Sequence, residues 1–425
     1  MSVALLVSGF LLMLILGFPI IFSIGIACLF YLLINDVSLA VVSQVMVNYL
    51  TDFVLLAVPL FIFAAQLMNA SGMTGRLLKF ARNLIGHIRG GLAHVNVLTS
   101  MIFAGVSGSA VADTSSVGTV MIKAMKDEGY ETDYAAAVSA SSSVVGPIIP
   151  PSIPMVVAGA MAGLSVTQLF IGGIVPGILL GLAMMVVVAI IAKKRDHPKF
   201  ERASYKTIMQ SFTNSILDLV LPAIVIGGIV FGLFTPTEGA AVAVLAAMVL
   251  GVIHKDLTLR KVRECAYQSI IVSAEVLLIA AVAILFGWIL MYEQIPQNLI
   301  QYVTDMEMSK YLFLIIINLI LLALGAFIAG MATLLIAVPI LVPIAPFLNM
   351  DPYQMVVMIV LATMLGTITP PIGPALFIIS SVSKRSVGAI AIQTIPFLVA
   401  CVVVLLLVAF IPAVSLFLPD LIYGK

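Results

Sequence analysis

Chemistry in this chain begins with two interruptions of the backbone. Residues 146–154 read GPIIPPSIP and residues 366–374 read GTITPPIGP, sharing the pattern G-x-I-x-P-P-x-x-P inside apolar segments long enough to cross a bilayer. Two adjacent prolines remove two amide donors and clash with the preceding turn, so a helix must stop at each. The ending half-helix frees carbonyls, and the next one presents free amides and a positive dipole end. Carbonyls suit a small hard cation and amides suit an anion. A plain proline kink would explain one such motif. Two copies in register point to a binding role, because broken backbone at membrane depth persists only where protein or a polar cavity covers it.

The neighbours of each break give two pseudo-equivalent cation sites. In the first, Ser107 and Ser109 can face the carbonyls of Gly146, Ile149 and Pro151; in the second, Gly325 and Ile328 can face Gly366 and Thr369. Cages built mostly from backbone oxygen, without a ring of carboxylates, favour sodium over calcium. Asp113 has two readings: it binds a substrate hydroxyl or ammonium, or it caps a helix with Thr114 and Ser115. Ser116, Ser141, Ser142, Ser143 and Ser152 add hydroxyls nearby, which serve either a substrate or helix packing. The substrate set is therefore Asp113, Thr114, Ser115, Ser116 and Ser152, with Ser152 giving the first copy more polar contacts than Ile372 gives the second. No lysine or arginine lies between Arg89 and Lys123, between Lys126 and Lys193, or between Lys310 and Lys384. An anionic substrate would be neutralised there by half-helix N-termini and co-bound cations.

The elements that carry these residues are helices. Of 425 residues, 62% are hydrophobic and 9% charged, with a mean hydropathy of +1.24. A soluble chain carries about a quarter charged residues, and membrane β-strands alternate in polarity, so the chain reads as an all-α polytopic membrane protein. Basic residues fall in short loops and form no patch for nucleic acid. No nucleotide-binding loop occurs, so uphill work needs an ion gradient or another subunit. Ser109 and Asp113 lack a partnering base, which argues against a hydrolase. Cys28, Cys265 and Cys401 are scattered apolar fillers, and His87, His94, His197 and His254 read as solvated loop or span-end residues.

Spans are expected at 5–33 and 52–68, then an amphipathic surface helix at 75–92 with Arg76, Lys79, Arg82 and Arg89 on the cytoplasmic side. A re-entrant hairpin follows over 98–123, turning near 107–112, although a single span with a small-residue face fits the same residues. The first broken span covers 134–162 and a full span 169–192; basic loops at 193–206 and 254–263 flank spans at 217–234 and 240–253. A span at 270–291, an acidic loop at 293–310 and a second hairpin at 311–346 precede the second broken span, 352–380, and a last crossing, 387–417. Asp218, Glu238 and Glu275 lie in or near spans, where they meet a partner helix or the interface. An offset of 220 matches Gly105 to Gly325, Gly146 to Gly366, and Pro150, Pro151, Pro154 and Pro176 to Pro370, Pro371, Pro374 and Pro396. The basic stretch 76–89 and the acidic loop 293–310 hold equivalent places with opposite charge, so the copies read as inverted, a pattern of secondary transporters.

FTPTEGAA at 234–241, FAGVSGSAVADTSSVG at 103–118 and the two proline breaks resemble the large membrane subunit of tripartite ATP-independent periplasmic (TRAP) transporters, over nearly the whole chain. The resemblance implies an elevator-type fold. Residues 1–92 would be scaffold with an amphipathic arm, and 93–192 the first part of a transport domain. Residues 193–310 would return to a cytoplasmic loop, scaffold and a second arm, and 311–425 would complete the transport domain. It also implies sodium-coupled uptake, across the bacterial inner membrane, of an organic acid delivered by a periplasmic binding protein. A separate small membrane subunit of about four helices would complete the assembly. The hairpin stretch looks most like that of sialic-acid members, with C4-dicarboxylate members next; a stand-alone sodium/dicarboxylate symporter is the competing reading.

Overall fold

The computed structural model describes residues 2–424. Among the described residues regular structure is entirely helical. The first departure from expectation comes at once, because the apolar run 5–33 is two helices, α1 (Ser2–Ile15) and α2 (Ile20–Ile34), packed on each other. Gly17 takes a left-handed backbone (φ +82°) and Pro19 stands at the N-cap of α2, so the run reverses and does not cross as one rod. Next come α3 (Ala40–Leu50) and, after a short 3-10 turn capped by Asp52, α4 (Ala57–Ala70). The amphipathic helix α5 (Met73–Ile85) is shorter than 75–92; Gly90, at φ +73°, turns the chain into α6 (Gly91–Ser107). The first half closes with α7 (Ala110–Asp127), α8 (Thr132–Ser143), α9 (Ile153–Ala162) and α10 (Val166–Lys194).

The second half runs α11 (Tyr205–Val230), α12 (Pro236–Ile253), α13 (Leu259–Tyr292) and α14 (Ile295–Asp305), so the acidic loop 293–310 is largely helical. It continues with α15 (Lys310–Phe327), α16 (Gly330–Leu341), α17 (Pro352–Gly366), α18 (Pro374–Ser383) and α19 (Val387–Phe410). The expected crossing 387–417 stops at Phe410, because Pro412 opens a separate last helix, α20 (Ala413–Tyr423). Shifting the starts of α6 to α10 by 220 lands within one residue of the starts of α15 to α19. The offset seen in the prolines is thus carried by whole elements. Seven helical stretches, 53–70 and α10, α11, α12, α13, α15 and α19, are long and apolar enough to cross a membrane.

Helix packing divides by position. α4 lies against α12 and α13, and α2 and α3 also pack on α13. Around the breaks, α8 is buried from Tyr134 to Ser143 and α17 from Gln354 to Gly366. Neither stretch has an exposed face, the pattern of a central element covered on all sides. The segment 234–241 owes its residue choice to capping: Thr235 and Glu238 form a reciprocal capping box, and Pro236 occupies the first turn of α12. Glu238 is thereby explained as a cap.

Asp218 holds α5 to α11. It is 1% exposed and takes a two-pronged hydrogen bond from Arg76, Nε to Oδ2 at 2.6 Å and Nη2 to Oδ1 at 2.9 Å. Arg76 Nη1 reaches Asp256 at 3.1 Å, and Ser215 Oγ donates to the Arg76 carbonyl at 3.1 Å. Removing one member of such a pair strands the other and costs about 3 kcal/mol, whereas replacing both is close to neutral. Arg76→Leu should therefore lower the thermal unfolding midpoint of the detergent-purified chain, and Arg76→Leu with Asp218→Leu should recover most of the loss.

Candidate ligand site at the helix breaks

Each hairpin tip sits on a proline break. Between α6 and α7 the turn is Gly108, left-handed at φ +57°, followed by Ser109, whose Oγ accepts from Ala112 N at 3.5 Å and caps α7. A methyl at Gly108 would lie 2.5 Å from the Pro151 carbonyl oxygen, so only glycine lets the tip meet the break this closely. Ser107, Ser109 and Pro151 are thus brought together. Both breaks contain a cis peptide, Pro150–Pro151 and Pro370–Pro371.

Asp113 turns inward from the first turn of α7. Ser107 Oγ donates to its Oδ1, and Ser109 N reaches Ser107 Oγ at 3.4 Å. Asp113 is 1% exposed, and its Oδ2 has no hydrogen-bond partner among the described residues. A methyl on Gly146 would lie 2.3 Å from that Oδ2. Ser107, Asp113 and Gly146 therefore converge, and Asp113 stands beside the residues read as the first cation site. The other hydroxyls are engaged locally: Thr114 donates to Ala110 O at 2.7 Å, and Ser115 and Ser116 donate to Ala112 O at 3.1 and 2.7 Å. Ser152 donates to Pro147 O and accepts from Met155 N at 3.2 Å, closing the first break and capping α9. Ile149 packs its side chain on Gly177, where a methyl would come within 2.4 Å of Ile149 Cγ1.

The second break is built from backbone. Gly325 and Gly366 touch directly: a methyl on either would lie 2.8 or 2.5 Å from the other's Cα. Ile328 and Ala329 form the turn between α15 and α16. Gly373 N donates to Ala326 O at 2.9 Å, and the Thr367 and Thr369 carbonyl oxygens lie 2.9 and 3.0 Å from where a Gly373 methyl would be. Gly373 (φ +52°) and the Thr367 carbonyl were missed as site members; the glycine inside P-P-I-G-P was the available signal. The two breaks are interlocked, since α9 packs on α16 and α18 packs on α7. The half-helix leaving each break thus lies on the hairpin of the other half.

Residues read as donors or solvated groups elsewhere have structural roles. Asn96 Nδ2 donates to Ser139 Oγ at 2.7 Å and Ser100 Oγ to Ser142 Oγ at 2.9 Å, so this serine row joins α6 to α8. His94 and His197 are buried, contrary to expectation. His94 Nδ1 lies 3.2 Å from Gly90 O. His197 lies tilted against the stacked rings of Tyr130 and Tyr134, centroids at 4.8 and 4.9 Å, and burial together with the nearby Arg195 charge pushes its imidazole below the usual value. Among the described residues no three His, Cys, Asp or Glu side chains gather as metal ligands. Any ion at the breaks must use carbonyl and hydroxyl oxygen with the Asp113 carboxylate, a hard oxygen set that suits an alkali cation.

The family described as the tripartite ATP-independent periplasmic transporter, DctM component, matches residues 7–414. The chain is 40% identical over 420 residues to the sialic acid TRAP transporter large permease protein SiaM of Vibrio cholerae, covering 98% of each chain. It is 38% identical to the C4-dicarboxylate TRAP transporter large permease protein DctM of Pseudomonas aeruginosa, over 87% of this chain and 86% of that one. In fold it is similar to the solved structure of MtrF of Neisseria gonorrhoeae, with a TM-score of 0.62, 14% identity, and coverage of 88% and 85%.

The Gly146 contact makes a specific prediction. Gly146→Ala drives a methyl into Asp113 Oδ2, and overpacking of this kind costs about 1–3 kcal/mol. Thermal unfolding should show that loss in the single variant and a smaller one when Asp113→Gly is added.

Proposed function

The chain belongs to the DctM family of tripartite ATP-independent periplasmic transporters, and on that premise we propose that it couples sodium entry to uptake of an organic acid. It is a TRAP large permease, a multi-pass protein of the bacterial inner membrane. Sialic acid is the favoured substrate, given the similarity to SiaM, with C4-dicarboxylates next. A periplasmic binding protein delivers the acid, and a small membrane subunit of about four helices completes the transporter. The two halves act as an inverted repeat in which both hairpins are re-entrant. The helices around the breaks move as one elevator against a scaffold of the remainder.

One observation carries the reading: two hairpin tips, each seated on a broken helix, in a region without lysine or arginine. The first sodium ion is held by Ser107, Ser109, Gly146, Ile149 and Pro151, and the second by Gly325, Ile328, Gly366 and Thr369. The buried Asp113 Oδ2 supports a cation there, because a carboxylate oxygen at 1% exposure is stable only when paired, hydrogen-bonded or protonated. Substrate is received near Asp113, Thr114, Ser115, Ser116 and Ser152, where helix N-termini and bound sodium offset its negative charge. An anion without a basic side chain needs the cations in place, which makes coupling a property of the site.

The test is uptake by proteoliposomes containing the chain, its small subunit and the binding protein. An inward sodium gradient should drive accumulation of labelled sialic acid, and a potassium gradient should not. Ser107→Ala and Ser109→Ala should each shift the sodium dependence upward by up to about tenfold, the scale of one lost hydrogen bond. Unchanged sodium titrations in both variants would contradict the first site, and full sodium-driven uptake with neither partner added would contradict the tripartite reading.

A further inference from the structure

Glu275 is out of place for a residue facing lipid. Helix α13, 34 residues long, is polar over its first turns and becomes apolar from Ile270, interrupted by Ser273 and Glu275. At 1.5 Å per residue it is about 50 Å long, so its first turns stand outside a hydrocarbon core about 30 Å thick. Glu275 lies seven residues beyond Gln268, about 10 Å further along the helix. It is exposed, and neither a hydrogen bond nor an ion pair to it occurs among the described residues. An ionised carboxylate facing acyl chains is unfavourable by about 2.5–3.5 kcal/mol.

Its surroundings form a helix-docking seam. Arg260, Glu264, Tyr267, Ile271, Ala274 and Leu278 are all exposed, and their separations alternate four and three, the spacing of one face of a packed helix pair. The opposite side, Cys265, Ser269, Ser273 and Ala280, is buried in the chain's own core; Cys265 Sγ lies 3.6 Å from Gln66 O. Ala274 beside Glu275 permits close backbone approach, as small residues do at membrane helix contacts. At the polar end the seam runs into a cleft of about 350 Å³ lined by Arg260, Arg263, Glu264, Tyr267 and Gln268.

The charge selects the occupant. In the seven membrane-long helices, lysine and arginine occur only at the ends, Lys193 and Lys194 closing α10, Lys206 near the start of α11, Arg260, Lys261 and Arg263 in the first turns of α13 and Lys310 opening α15, so a second copy has no cation to offer at the depth of Glu275. We infer that Glu275 anchors a transmembrane helix of a different polypeptide carrying a lysine or arginine at the same level, docked along the Tyr267–Ile271–Ala274–Leu278 face of α13. The inference rests on the reading that a small membrane subunit accompanies the chain, and it identifies that subunit's seat.

Co-expression of the chain with a tagged small subunit, followed by affinity purification and cross-linking, tests the seat. Glu275→Leu should leave the thermal stability of the isolated chain unchanged or higher, and should reduce co-purified subunit by tenfold or more, as loss of one partner of a desolvated charge pair does. Glu275→Gln, which keeps a hydrogen-bonding group, should retain more subunit than Glu275→Leu. Ile271→Cys should cross-link to a cysteine scanned along the subunit's helices. Equal retention by wild type and Glu275→Leu, or an Ile271→Cys cross-link formed only between two copies of this chain, would overturn the assignment. If wild type retains no subunit, the tripartite reading fails as well.

Discussion

Backbone polar groups cannot be left bare in a buried apolar interior, and the rest of this structure answers to two helices that break there. Each diproline strips two amides from a helix and exposes carbonyls beside them. The fold answers with local covers. Ser152 closes the first break onto Pro147 O and caps α9, while Gly373 N and Ala375 N close the second onto Ala326 O and Thr367 O. What these covers leave over is oxygen facing a hairpin tip. The tips reach it only because Gly108, Gly146, Gly325 and Gly366 carry no side chain in the way.

The two copies meet the same constraint with different chemistry. In the first, Ser107 and Asp113 supply side-chain oxygen and Ser152 supplies a cap; the positions 220 residues on are Phe327, Thr333 and Ile372. The second therefore relies on direct glycine contact and backbone carbonyls. On the proposed function the first break would be the polar, substrate-proximal cation site and the second the plainer one; the exchange of half-helices between hairpins holds the two breaks in a fixed relation. The helices away from the breaks work on another principle, charge. Asp218 is matched inside the chain by Arg76, whereas Glu275 has no partner among the described residues.

Much of this was legible in residue patterns. Diprolines, glycine-rich hairpin turns and the offset of 220 are local features whose physical meaning does not depend on distant contacts. They placed both breaks and both turns, Gly108–Ser109 and Ile328–Ala329, within the expected windows. Features made by distant partners were not legible. Asp113 needed the Gly146 contact to be seen as part of the first break, Asp218 needed Arg76 across 142 residues, and His197 needed Tyr130 and Tyr134 to be recognised as buried. The apolar run 5–33 misled for a different reason: hydrophobicity hides a turn unless Gly17 and Pro19 are read as punctuation.

Hydrogen exchange at the two breaks is the most direct test of the account, because it needs neither partner nor substrate. In the purified chain, adding sodium in place of potassium at equal ionic strength should slow amide exchange in 144–152 and 367–375 and in the hairpin turns at 107–110 and 327–330. Ser107→Ala should diminish the effect in the first set alone. Exchange that is identical in the two salts at both breaks would contradict the claim that they are cation sites.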